Sequence, residues 1–196
     1  MKNLTQRVAL IRHGETEWSL VGRHTSFTDL PLTQKGIDEA SLLNKAFSHI
    51  KFKQVFCSPF KRARETCELA GLSDNVIIDP DLTEWNYGDL EGLTTVQIEE
   101  QIPDWDLFKD GCKGGESPQE VSDRIDRMIK KIQAIDGNVA VFTHGHISRV
   151  FATRWIKLPV QNGHMFVLGT ATLNVLGAYH DDPAIVNWNA KIDGYI

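Results

Sequence analysis

Two near-continuous apolar runs, each ending abruptly in a histidine and a glycine, constrain this chain more than any other feature. Val8-Ala9-Leu10-Ile11 runs into Arg12-His13-Gly14-Glu15-Thr16, and Val139-Ala140-Val141-Phe142 into Thr143-His144-Gly145-His146. Strands with so little alternation are buried on both faces, as in a largely parallel sheet covered by helices. The intervening pattern supplies the helices. One starts at Thr33 and carries Ile37, Ala40, Leu43 and Phe47 on one face. Val55-Phe56-Cys57 reads as a strand, with a helix opening at Ser58-Pro59 and running to about Gly71. Ser117-Pro118-Gln119-Glu120 is a capping box with proline at the first helical position. Behind it Val121, Ile125, Met128, Ile129, Ile132 and Ile135 keep helical spacing until Gly137. A helix from about Ile147 to Lys157, and strands over Met165–Leu168 and Thr172–Leu176, complete an α/β pattern. No repeat or linker interrupts it, so one domain over residues 1–196 is expected.

Three polar clusters follow directly on apolar strands: Arg12-His13-Gly14, Ser58-Pro59 with Arg62, and His144-Gly145-His146. Ligands of open parallel sheets bind at the carboxyl ends of the strands, so neighbouring strands would bring the clusters into one pocket. The net charge of -5 argues against a nucleic-acid partner while leaving room for one positive pocket. Cys57, Cys67 and Cys112 cannot all pair within the chain, and none stands in a C-x-x-C motif. With no apolar leader at the start and no run long enough to span a membrane, a cytoplasmic protein without a membrane partner is expected.

Each cluster has chemistry available to it. A neutral imidazole at His13 can attack phosphorus, provided its other nitrogen is held as a donor; Gly14 lets the backbone come close enough to accept from it. Arg12 offers a fork of donors to phosphate oxygens. At the second strand end, His144 can stabilise charge that develops on those oxygens, aided by Gly145 and the amides entering the next helix. Lys61, Arg62 and Arg64 sit where the helix dipole disfavours cations, which suits an anion bound among them. Arg62 and Arg64 point in different directions, so one of them reaches the pocket. A leaving alcohol needs a proton, and the aromatic stretch Glu84-Trp85-Asn86-Tyr87-Gly88-Asp89-Leu90-Glu91 holds three candidate acids, Glu84, Asp89 and Glu91. Spacing does not choose among them. The two histidines of His144-Gly145-His146 lack any specific metal-ligand spacing, so no metal is expected. Trp18, Arg23, His24, Tyr87 and His146 are candidates for the leaving-group side.

These residues resemble the histidine phosphatase superfamily, the phosphoglycerate mutase-like proteins. Arg12-His13-Gly14-Glu15-Thr16 is similar to its R-H-G-E-T signature. The likeness continues in order through Leu30-Pro31-Leu32-Thr33, Ser58-Pro59 with Arg62-Ala63 and Thr66, Glu84 with Gly88 and Glu91-Gly92, Gly115-Glu116-Ser117 and His144-Gly145-His146. It implies a three-layer α/β/α fold with a mostly parallel central sheet and His13 as nucleophile. It also implies a phosphate pocket of Arg12, Arg62 and His144, Glu84 as proton donor, and a phosphate contact at Thr25. Within the superfamily the chain is similar to bacterial acid phosphatases and a fungal sedoheptulose-1,7-bisphosphatase. It departs from the cofactor-dependent mutases at Ser19, Thr95 and His146, and in the short stretch from Gly92 to Gly115.

The expectation is therefore a phosphatase of small phosphomonoesters acting through phosphohistidine without a cofactor. Its rivals are a phosphoglycerate mutase and a non-catalytic phosphosugar-binding protein. Ser19 joins the residues expected on the substrate side, and Trp85, Trp105 and Trp155 suit either a core or the interface of a homodimer.

Overall fold

Both apolar runs become central strands. The computed structural model describes residues 5–192. Within them one sheet holds β1 (Val8–Arg12), β2 (Gln54–Cys57), β3 (Val76–Ile78), β4 (Val139–Thr143), β5 (Leu173–Tyr179) and β6 (Asp182–Ala190). Its order is β3-β2-β4-β1-β5-β6. The first four strands are mutually parallel, and β5 and β6 add an antiparallel hairpin on the β1 side. The helices are α1 (Glu17–Leu20), α2 (Gln34–Phe47), α3 (Lys61–Leu69), α4 (Thr95–Gln101), α5 (Leu107–Asp110), α6 (Pro118–Gln133) and α7 (Gly145–Trp155).

Alternate residues of the central strands build two cores. Val8, Leu10, Phe56, Val139 and Val141 pack against α6 and α7. Ala9, Ile11, Val55, Cys57, Ala140 and Phe142 pack against Leu43 and Phe47 of α2 and Ala63 and Cys67 of α3. This is the three-layer α/β/α arrangement with a mostly parallel sheet. The capping box of α6 forms as expected: Ser117 Oγ accepts from Glu120 N, and the Glu120 carboxylate accepts from Ser117 N. Trp85 and Trp155 are core residues, and Trp105 is half-buried against the same core.

Several sequence expectations need correction. Ile37 is not on the buried face of α2, whose first turn instead buries Gly36 against the backbone of Glu15. The third helix begins at Lys61 rather than at Ser58-Pro59, because a residue before proline avoids helical geometry and Ser58 extends the β2 ladder, donating to the Phe142 carbonyl at 2.9 Å. It ends at Leu69, and α6 ends before Ile135. The last helix runs two residues earlier at each end than expected. Met165–Leu168 is no strand: Val160–Met165 is a 3-10 turn, and the carbonyls of Val167 and Leu168 accept from Trp188 Nε1 and Arg12 instead of a ladder. The short β3 and the edge strand β6 were not foreseen.

Candidate active site

Parallel register brings the three strand ends together. Arg12 pairs with Thr143 across β1 and β4, and Cys57 with Phe142 across β2 and β4. One residue further, His13 N donates to the Thr143 carbonyl at 3.0 Å. His13, Ser58 and His144 therefore leave the sheet side by side. The His13 and His144 rings meet edge to face with centroids 5.2 Å apart, and Ser58 Oγ shares a 2.7 Å hydrogen bond with His144 Nε2.

The tautomer of His13 is set by its neighbour. Nδ1 lies 2.7 Å from the Gly14 carbonyl, which can only accept, so Nδ1 carries the proton and Nε2 keeps its lone pair. Gly14 N donates in turn to Thr66 Oγ1 at 3.0 Å. Glycine is required here by space: a Cβ on residue 14 would stand 2.5 Å from the Gly36 carbonyl oxygen, and one on residue 36 would stand 2.2 Å from that of Glu15. Burial, then the nearby charges of Arg62 and Arg12, push the His13 pKa well below the usual imidazole value, and the ring is neutral at pH 7. His144 is held down the same way, by burial first and then by Arg62.

Of the three basic residues opening α3, Arg62 turns inward and is fully buried, whereas Lys61 and Arg64 are exposed. Arg62 donates to the carbonyls of Thr25, Ser26 and Thr28, and so fastens the loop between α1 and α2 over the strand ends. Arg12 donates to the Leu168 carbonyl at 2.7 Å. Gly145 allows its approach, since a Cβ there would lie 3.3 Å from the guanidinium. Four buried side-chain polar atoms among the described residues have no hydrogen-bond partner, and three of them belong to this group: Arg12 Nε, Arg62 Nε and His144 Nδ1.

Of the three candidate acids, one faces the cavity. Glu84 lines the cavity beside His13, and its carboxylate accepts from the backbone N–H of Trp85, His146 and Ile147 at 2.9 to 3.1 Å. Two of those amides belong to the first turn of α7, so the helix N-terminus holds the carboxylate in place. Glu91 faces away and accepts from Ser26 N and Thr28 N, while Asp89 is exposed.

The cavity measures about 370 Å³. Arg12, His13, Glu84 and Gly145 line it, as do Ser19, Arg23, His24, Thr25, Tyr87 and His146. Thr25 Oγ1 donates to the Arg23 carbonyl. Arg62 and His144 do not reach the surface of the cavity and stand behind it. Trp18 does not line it either: its ring packs over Gly92, with the Arg23 guanidinium 6.0 Å from the ring centroid. Sequence reasoning missed Arg149, Phe166, Val167 and Leu168, which also line the cavity. Arg149 lies three residues after His146 on α7, so helical spacing could have placed it on the same face. It crosses the Phe108 ring at 4.7 Å and donates to the carbonyls of Gly163 and His164. Among the described residues no three His, Cys, Asp or Glu side chains are grouped to hold a metal, and no helix is long and apolar enough to cross a membrane.

Known proteins share this arrangement over nearly the whole chain. The family model described as histidine phosphatase superfamily (branch 1) matches residues 8–191. An acid phosphatase of Mycobacterium tuberculosis is 40% identical, with 89% of this chain and 87% of that protein covered. The sedoheptulose 1,7-bisphosphatase of Saccharomyces cerevisiae is 37% identical over 82% of this chain and 71% of its own length. The solved structure of a characterised open reading frame of Mycobacterium tuberculosis matches with a TM-score of 0.92 at 38% identity, covering 96% of this chain and 99% of that one. The chain belongs to the histidine phosphatase superfamily, branch 1, and is a phosphoric monoester hydrolase of that family.

Proposed function

We propose that the protein hydrolyses small phosphorylated metabolites of the cytoplasm, sugar phosphates among them, in two steps through His13. The observation that carries this is the fixed tautomer of His13, neutral and with Nε2 unprotonated, in a cavity ringed by arginines. In the first step Nε2 attacks phosphorus in line. The N–P bond forms, the ester P–O bond breaks, and protonated Glu84 gives its proton to the leaving oxygen. In the second step Glu84 takes a proton from water, whose oxygen displaces His13 from phosphorus and releases phosphate. Arg12 lines the cavity with its Nε unpartnered, a donor for a bound phosphoryl group, and the positive charge of Arg62 stands just behind the cavity wall. They are fixed before substrate arrives, so they stabilise the transition state without reorganising. Thr25 and Gly145 also line the cavity.

Replacing His13 with alanine is expected to lower turnover by at least ~10⁴-fold, and wild-type protein quenched in mid-reaction should carry an acid-labile, base-stable phosphate. An alanine variant that retains substantial turnover overturns the assignment. Positive charge comes from side chains, so dialysis against EDTA should leave the rate unchanged. Loss of activity that zinc or magnesium restores would return a metal to the mechanism.

A further inference from the structure

On the leaving-group side of the cavity two imidazoles lie face to face. The rings of His24 and His146 are stacked at 5.6 Å with an interplanar angle of 9°. Each is fixed in one tautomer, and the two tautomers are opposite. His24 Nδ1 is 3.0 Å from the Leu93 carbonyl, an acceptor, so Nδ1 bears the hydrogen and Nε2 is a bare lone pair. His146 Nδ1 is 2.6 Å from the Tyr87 hydroxyl. Burial raises the Tyr87 pKa well above the usual phenol value, so the hydroxyl keeps its proton. It has no other hydrogen-bond acceptor among the described residues, so it donates to Nδ1 and leaves the hydrogen of His146 on Nε2. Burial keeps both rings neutral, for His146 together with the charge of Arg149. The two Nε2 atoms have no protein partner among the described residues, are not sealed from solvent, and belong to rings that line the cavity.

The cavity thus presents one fixed acceptor beside one fixed donor. A hydroxyl is the group that matches such a pair, because it donates and accepts at once. A carboxylate or a second phosphate accepts only, and would leave His24 Nε2 facing a lone pair. Hydrogen bonds to an imidazole nitrogen lie in the ring plane, so two stacked rings are served by neighbouring hydroxyls of one group, one to each ring.

Building on the phosphatase reading above, we propose that His24 and His146 select a polyhydroxylated leaving group, with Tyr87 as the positioning residue that fixes the donor tautomer of His146. Selection by polar atoms is sharp because an ester without the hydroxyls leaves both nitrogens unpaired in the complex.

The test compares kcat/KM for glycerol 1-phosphate with that for n-propyl phosphate, the same carbon chain without hydroxyls. The ratio, measured on one enzyme preparation, does not depend on the folded fraction of a variant. We expect wild-type protein to favour the glycerol ester about tenfold or more, the worth of one to two hydrogen bonds. His24→Phe and His146→Phe should each bring the ratio close to one. Tyr87→Phe should lower it mainly through KM, because the freed imidazole then samples both tautomers. His146→Gln, whose amide supplies an N–H, should recover part of it. A wild-type ratio near one, or a ratio that survives both phenylalanine variants, overturns the proposal while the phosphohistidine assignment stands. Turnover of neither ester, with no phosphoenzyme, fails the phosphatase reading and this one with it.

Discussion

At the scale of single residues, three carboxyl-bearing candidates and one imidazole show how contacts create chemistry. The Gly14 carbonyl one residue away holds the Nδ1 proton of His13 and leaves Nε2 free for the attack proposed above. Glu84 differs from Asp89 and Glu91 only in where its oxygens sit, against three backbone N–H groups and the cavity. Its role can be separated from its structural hydrogen bonds. Glu84→Gln places an amide against those N–H groups and lowers every rate somewhat, but loss of proton donation falls on poor leaving groups alone. In kcat/KM, which does not include the common hydrolysis of phosphohistidine, a sugar phosphate should lose ~10²–10⁴-fold and a nitrophenyl ester far less. Equal losses on both would move the acid to another residue.

At the scale of elements, the loop that carries Glu84 is held by α6. Arg124 donates to both Glu116 carboxylate oxygens at 2.7 and 3.0 Å and to the carbonyls of Asp81, Thr83 and Glu84. Glu116 in turn accepts from Asn86 N through its carboxylate and from Trp85 Nε1 through its carbonyl. One arginine on a well-capped helix therefore holds the loop that carries Glu84 in place. Arg124→Leu removes the charged donor from the Glu116 carboxylate, which keeps only Asn86 N, and from three carbonyls. The expected destabilisation is about 3 kcal/mol, the low end for breaking a buried pair, since Glu116 remains 22% exposed. Urea denaturation measures it, and a midpoint unchanged from wild type would remove Arg124 from this role.

At the scale of the whole molecule, a chain of net charge -5 gathers several of its arginines around one cavity and buries neutral imidazoles among them. Folding lowers the pKa of His13, His24, His144 and His146, in each case through burial first. The unfolded chain then binds more protons than the native one below about pH 6.5, so stability falls as the medium is acidified through that value. Glu15, Asp81 and Glu120 are shifted below ordinary carboxylate values and act only in stronger acid. The urea midpoint should therefore drop between about pH 6.5 and pH 5, a window belonging to the histidines. A flat profile there would mean that the imidazoles charge freely in the folded protein.

What the sequence by itself determined was set by local rules. Unbroken apolar runs named β1 and β4, the Ser117-Pro118-Gln119-Glu120 box named the start of α6, and glycines beside histidines marked the strand ends where the site lies. An ordered set of motifs carried the family. Short-range patterns did not mark the edge strands, because β3 is an apolar run of only three residues and β6 mixes polar residues with apolar ones, and they could not reject a strand at Met165–Leu168. Residue spacing left Glu84, Asp89 and Glu91 equal and did not separate Arg62 from Arg64; that Glu84 faces the cavity, that Arg62 turns inward and that Arg149 lines the cavity are features of the tertiary structure. Each depends on which side chain meets backbone groups brought from distant parts of the chain: the amides of α7 for Glu84, the carbonyls of Thr25, Ser26 and Thr28 for Arg62, and those of Gly163 and His164 for Arg149. Composition and spacing record what a residue is, whereas its protonation, tautomer and partners follow from the low-dielectric contacts that only the folded chain assembles.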